Sequence, residues 1–382
     1  MSLYANCVRP LLFRLDAETA HHLTVQSCRV AGSIPGLPAL SHSCLHSSAP
    51  ELVSEFGGLR FSNPIGLAAG WDKSGHALRL LDSLGFGFAE IGSVSARPSP
   101  GNPKPRLFRM PQDRAIIVNY GLPNDGAEVV ARRLAQYHTR HPLGVNIVKT
   151  NDGPNAPPCG PDEILADYER SVSLLHPYAG YLALNLSCPN AQGGKDFFAL
   201  PGNISRLLAR LEHLAIRCPV ILKLVPTEDA SALQRILNEC DAFPFVRGFC
   251  FNLPAGKPDT LELSVPRELL AYQPGAIAGR PVAALINRCI ARLYQLMDRR
   301  RYVIIGAGGV FTAEDAYLKL RCGASLVQLY TALIYEGPGV VKQINRGLVS
   351  LLKRDGFTHF SQAIGTAESC EDCLSEHSHL RP

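Results

Sequence analysis

The run Tyr181–Asn190 (YLALNLSCPN) carries a thiol, Cys188, between Ser187 and Pro189, with amides at Asn185 and Asn190. An apolar alternating stretch that reaches a proline is a strand that must stop there. A thiol and two amides at a strand's carboxyl end suit a barrel active site that holds a planar polar ligand. The same residues also describe a strand end with a packed core thiol and turn-forming asparagines. Two lysines raise the stakes. Lys73 follows Ala68, Ala69, Gly70, Trp71 and Asp72, and Lys223 lies inside Ile221–Val225 (ILKLV). A lysine within so apolar a strand is costly unless it meets an anion; snorkelling to solvent is the plainer alternative. Asn146 and Asn252 interrupt two further apolar runs, and polar residues at the tops of several strands point to a shared ligand. Glycines at Gly279, Gly308 and Gly309 let backbone N–H groups approach phosphate oxygens. Tyr330 and Thr331 add hydroxyls; tight turns alone would explain any one of these pieces.

The elements that must position these residues repeat. Eight short apolar runs occur at Ile65–Gly70, Phe88–Val94, Leu143–Val148, Tyr181–Ser187, Val220–Val225, Gly248–Asn252, Tyr302–Gly309 and Ser325–Thr331. Amphipathic stretches follow several of them, at Asp162–Leu175, Ile204–Ile216, Asp229–Cys240, Val282–Met297 and Thr312–Arg321. Alternation of this kind implies a parallel sheet covered by helices. Eight units imply an α/β fold of the closed (β/α)8 TIM-barrel type. An open doubly wound sheet would place its nucleotide loop after the first strand. Leu52–Phe61, with Gly57 and Gly58 at its centre, predicts a hairpin capping the barrel's bottom. Residues 1–40 are rich in Leu, Val and Phe, with a Gly/Pro break at Gly32–Pro38, and predict a helical pair. The expected division is a helical extension over 1–45, a barrel over 46–355 and a polar tail over 356–382. A helix is expected from about Gly337 through Leu352.

Bulk properties narrow the function classes. With 382 residues, 46% hydrophobic and 19% charged, the chain suits a globular enzyme with a sizeable core. Its +5 charge is dispersed, so no nucleic-acid footprint is expected. The 12 cysteines follow no framework spacing, which implies reduced thiols. No window approaches the roughly 20 apolar residues that span a bilayer. The tail holds Cys370, Cys373, His377 and His379, but their spacing is not that of a standard zinc finger, and no metal is expected.

Several long motifs together resemble the dihydroorotate dehydrogenase family, FMN barrel enzymes of pyrimidine synthesis. They are Asn63–Lys73 (NPIGLAAGWDK), Gly85–Ser93 (GFGFAEIGS), Arg97–Arg106 (RPSPGNPKPR), Gly144–Asn146 and Asn185–Asn190 (NLSCPN). Leu12–Asp16 (LFRLD) with Ala20 and His21 resembles the helical extension of the membrane-associated, quinone-using branch, where it forms a tunnel for the quinone. The resemblance implies FMN held by Ala68, Ala69, Gly70, Ser93, Asn146, Lys223, Gly279, Gly308, Gly309, Tyr330 and Thr331. It implies dihydroorotate or orotate held by Lys73, Asn124, Asn185, Asn190 and Asn252. Cys188 would be the base that takes a ring proton while a hydride passes to the flavin. Quinone would be the acceptor, with peripheral contact on the cytoplasmic side of a membrane.

The chain departs from that pattern in places. Cysteine at 188 is typical of the soluble branches, whereas the quinone branch has serine. Pro123 stands where a substrate asparagine is usual, with Asn124 one position late. Leu253 replaces a threonine, Ala278 a serine, and Val148 and Thr150 alter a loop near the flavin. Lost polar contacts can redirect specificity. The alternatives are therefore a related FMN oxidoreductase for another dihydropyrimidine or small cyclic substrate, and a flavin-binding partner protein without turnover.

Overall fold

The computed structural model describes residues 3–153, 155–157, 159–187 and 194–367. Two short strands, β1 (Ser54–Phe56) and β2 (Leu59–Phe61), form the expected hairpin, with the turn at Gly57 and Gly58. After β3 (Ile65–Leu67) and β4 (Phe88–Val94) come β5 (Leu107–Met110) and β6 (Ala115–Val118). Then follow β7 (Leu143–Ile147), β8 (Tyr181–Asn185), β9 (Val220–Leu224), β10 (Val246–Phe251), β11 (Ala276–Gly279), β12 (Val303–Gly306) and β13 (Leu326–Leu329). Eight of these close into a parallel barrel in the order β3-β4-β7-β8-β9-β10-β12-β13. Each coincides with one of the eight apolar runs. Continuous apolar strands form this barrel because both faces are covered, one by helices and one by barrel filling.

The filling is graded from bottom to top. At the bottom, Phe61 of the hairpin meets Phe88 edge to face at 5.5 Å between ring centres, and Tyr181, Ile221, Cys250 and Ile305 complete an apolar plug. Toward the top the interior turns polar, at Glu90, Asn146, Asn185 and Gln328.

Two features lie outside the barrel. Strands β11, β6 and β5 form a three-stranded antiparallel sheet at the mouth, which the sequence pattern did not suggest; Gly275–Pro281 reads as a loop. The N-terminal helices are α1 (Arg9–Phe13), α2 (Ala17–Ser33) and α3 (Leu37–Leu45). Asp16 caps α2 by accepting from the backbone N–H of Thr19 at 3.0 Å. Gly36, at φ +81°, breaks α2 from α3. This extension is pinned to the mouth by polar contacts. Arg106 donates through Nη2 to Glu18 at 2.8 Å. Arg109 donates to the Leu15 carbonyl at 2.8 Å, and the Tyr4 hydroxyl to the Ile334 carbonyl at 2.7 Å.

Candidate active site at the barrel mouth

The carboxyl ends of the strands surround a cleft. Ala68, Ala69 and Gly70 enter it after β3, Lys223 from β9, and Asn252 and Leu253 after β10. Gly308 and Gly309 follow β12, and Gln328, Tyr330 and Thr331 come from β13. Val118, Tyr120, Ala278 and Gly279, from the antiparallel sheet and its end, close the side. Gly279 adopts φ +113° and Gly309 φ +74°, and a Cβ would lie 2.5 Å from the Arg114 carbonyl oxygen and 2.4 Å from Ala283, respectively. Only glycine allows the backbone to run this close at both points, which leaves one end of the cleft lined by main chain.

A hydrogen-bonded relay crosses the mouth beneath this cleft. Asn252 Nδ2 donates to Asn185 Oδ1 at 3.1 Å, and Asn185 Nδ2 to Ser93 Oγ at 3.2 Å. Ser93 Oγ donates to Asn146 Oδ1, and Asn146 Nδ2 to Glu90 at 2.8 Å. Glu90, 2% exposed, also accepts from Tyr181 at 3.0 Å and from Gln328 Nε2 at 2.9 Å, and Lys223 Nζ stands 3.8 Å away. Buried amides stacked this way need every partner, because an unpaired one costs several times a typical hydrogen bond.

Lys73 sits at the far rim. Its ammonium is 3.0 Å from His21 Nε2 on α2 and 4.0 Å above the Tyr120 ring. Burial drives its pKa from 10.5 down to about 7, with Glu18 and Asp72 pulling it up and Arg106 pushing it down. Burial, with Lys73 beside it, lowers His21 well below the usual imidazole range. The ring is therefore neutral.

On the other side of His21 lies a second cavity between the extension and the barrel. Its walls are mostly apolar: Leu12, Phe13, Ala20, Trp71, Leu107, Ile116, Leu333 and Ile334, with His21 and Arg109 as polar points. Ile116 lines both cavities, so they share a wall at this side chain.

The structure brings most of the sequence-derived residues together. Ala68, Ala69, Gly70, Lys223, Gly279, Gly308, Gly309, Tyr330, Thr331 and Asn252 line the cleft, and Ser93, Asn146 and Asn185 form the relay below it. Asn124 is placed differently. Its Oδ1 accepts from the Ser95 and Gly126 N–H groups, and its Nδ2 donates to Ser95 Oγ at 2.8 Å and the Leu122 carbonyl at 2.9 Å. The whole amide is engaged in holding its loop. Cys188 and Asn190 lie outside the described residues, as do Cys370, Cys373, His377 and His379. Ser187, just before Cys188, is buried and donates to the Lys223 carbonyl at 2.9 Å. Glu90, Gln328, Tyr120 and Arg109 were not singled out from sequence. Glu90 and Gln328 carry the signal that marked Asn146, one polar residue inside an apolar strand.

With this geometry in place, comparison with known proteins is decisive. The family model for dihydroorotate dehydrogenase matches residues 51–352. The chain belongs to the dihydroorotate dehydrogenase family. A dihydroorotate dehydrogenase (quinone) from Roseiflexus castenholzii is 38% identical over 374 residues, covering 97% of this chain and 98% of that protein. One from Acidithiobacillus ferrooxidans is 38% identical over 377 residues, covering 94% and 98%. The crystal structure of the ligand-free enzyme from Eimeria tenella superposes with a TM-score of 0.79 at 28% identity, over 93% of this chain and 100% of that one. Among the described residues no helix is long and apolar enough to cross a membrane.

Proposed function

We propose that this chain oxidises dihydroorotate to orotate with bound FMN and delivers the electrons to a quinone. The carrying observation is the pair of cavities, one lined by glycine backbone and amides and one apolar, that share Ile116, with Lys73 in contact with His21 of the apolar one. The name shared by the quinone-dependent relatives supports the same substrate and acceptor.

The mouth cleft fits a flat phosphorylated ring. It has a main-chain end and a buried acceptor, Gln328 Oε1, left without a partner. Gly279, Gly308, Gly309 and Thr331 would hold the phosphate, and Ala68, Ala69, Gly70, Lys223 and Tyr330 the ring, with Ser93 and Asn146 supporting it from the relay. When bound, FMN supplies a two-electron acceptor that can pass electrons on to a second substrate.

This chain's own residues do the rest. Lys73, Asn185, Asn190 and Asn252 orient the substrate by its carboxylate and ring amides; Asn124 is left as a loop clamp. Cys188 removes the ring proton as thiolate, a role open to a thiol of ordinary pKa near 8.5. Residues 3–45 form the acceptor side: their apolar lining excludes water and admits a quinone ring, and their outer face makes the peripheral membrane contact. Leu3, Leu11, Val30 and Leu40 of this segment are exposed, the kind of side chain an interfacial anchor uses.

One observation favours a second reading. Val118 and Leu253 place apolar walls beside Asn252, which suits a ring with a non-polar edge, such as another dihydropyrimidine. Anaerobic addition of dihydroorotate, dihydrouracil or dihydrothymine to the purified FMN protein separates the readings. Bleaching by dihydroorotate alone is the expected result. Bleaching only by the other two would replace the substrate, and bleaching only by dithionite would leave a flavin-binding protein without this activity.

A further inference from the structure

Glu90 is a carboxylate in the interior of a barrel, 2% exposed, where an unpaired charge is prohibitively costly. Three neutral donors and one cation converge on it. Asn146 Nδ2 and Tyr181 Oη bond it at 2.8 and 3.0 Å, Gln328 Nε2 at 2.9 Å, and Lys223 Nζ approaches to 3.8 Å. Two of these four, Lys223 and Gln328, also line the mouth cleft. Gln328 is 0% exposed, and its Oε1 has no hydrogen-bond partner. Because its Nε2 is committed to Glu90, the amide cannot flip to present a donor instead. The cleft therefore displays one fixed acceptor and one fixed cation, both set by the same buried carboxylate. The dioxopyrimidine edge of a flavin offers the complementary pair, a ring N–H beside carbonyl oxygens that gain negative charge on reduction.

We infer that Glu90 is a positioning residue of the flavin site: it fixes Gln328 as an acceptor for the ring N–H and supplies the counter-charge that moderates Lys223. The inference rests on the flavin reading above. A bare Lys223 would favour the reduced ring strongly and hold electrons meant for the acceptor. A Lys223 shared with Glu90 favours it less, since the two opposite charges largely cancel at the ring.

The test compares the midpoint potential of bound FMN, by equilibration with a reference dye, in the wild type and in Glu90→Gln. Removing the counter-charge should raise the reduced-to-oxidised ratio at a given dye potential about tenfold, equivalent to about 30 mV for a two-electron couple. In a Lys223→Met background the same substitution should shift the ratio less than about threefold, because Glu90 then has no cation to moderate. Gln328→Leu, which leaves both charges in place, should weaken FMN binding to the apoprotein about tenfold. An unchanged ratio in Glu90→Gln, or an equal shift in both backgrounds, overturns the counter-charge role. Unchanged FMN affinity in Gln328→Leu overturns the acceptor role, and this variant carries the test if Glu90→Gln does not fold. A wild-type protein that takes up no FMN would instead refute the flavin reading itself.

Discussion

Raising the pH above 7 should strip the empty substrate site of its affinity for anions, and Lys73 is the reason. Its ammonium is enclosed by His21, Tyr120 and the rim of the barrel, and burial moves its pKa from 10.5 to about 7. A shift of that size corresponds to ~5 kcal/mol favouring the neutral amine over the charged one. His21 cannot compensate, because its own pKa lies well below the usual value and it carries no charge. Below pH 7 the site presents an ammonium under strain that a carboxylate relieves. Above pH 7 the amine is neutral, and binding orotate with the lysine charged requires uptake of one proton. The dissociation constant of orotate should therefore rise about 16-fold between pH 7 and 8.5, the slope approaching tenfold per unit at the upper end. The effect on folding has its own sign. The unfolded chain holds the lysine proton up to about pH 10.4, so between pH 7 and 10.4 it binds more protons than the folded chain. In that window this group's contribution makes stability rise with pH. The assay is an orotate titration followed by flavin absorbance from pH 6.5 to 8.5, with calorimetry at pH 8.5 in two buffers of different ionisation enthalpy. Close to one proton should be taken up per orotate. Lys73→Met should bind weakly at pH 6.5 and show no slope. A wild-type constant that stays flat to pH 8.5, or an equal slope in Lys73→Met, refutes the reasoning.

Three further outcomes are expected. Cys188→Ala should slow flavin reduction by dihydroorotate at least about a hundredfold, the usual worth of a positioned base, with FMN still bound; stopped-flow absorbance reads this, and a wild-type rate would remove the thiol from the mechanism. Glu18→Ala should lower stability by about 3 kcal/mol in denaturant melts, because Arg106, nearly buried and bonded to Glu18 at 2.8 Å, loses its counter-ion; an unchanged midpoint would show that the carbonyls of Pro100 and Asn102 suffice. Deleting residues 3–45 should uncover the apolar wall at Trp71, Leu80, Leu84 and Leu333 and abolish turnover with long-chain quinones, read as quinone-dependent dye reduction and vesicle co-sedimentation. Retained turnover and retained vesicle binding would leave that segment a packing element only.

The barrel was legible because burial on both faces leaves a mark that polar sampling cannot hide. Strands such as Leu143–Ile147 and Val220–Leu224 have no solvent side, and their spacing leaves room for helices between them. The antiparallel sheet at the mouth left no such mark. Its strands are four residues each, and Ala276 pairs with Val118 across a long stretch of chain, so no local pattern records the pairing. The glycine that ends it, Gly279, was legible as a close approach but not as part of a strand. Lys223 and Asn146 stood out as polar interruptions, whereas Glu90 carried the same signal inside a motif already accounted for. Asn124 shows the reverse case. An asparagine beside glycine and proline suits a binding loop and a loop clamp equally, and only its four bonds decide between them. The contact of His21 with Lys73 joins elements far apart in sequence, which no spacing rule reaches.

In the proposed function, reduction and reoxidation use two cavities that share a wall at Ile116. Thr24 lines the apolar cavity and lies away from the mouth cleft. Rapid mixing of the FMN-loaded Thr24→Trp protein tests this route by following each half-reaction alone. Flavin reduction by dihydroorotate is expected at the wild-type rate, and reoxidation by a quinone is expected to slow at least about tenfold. Equal slowing of both half-reactions, or quinone reoxidation at the wild-type rate with the cavity filled, would contradict it.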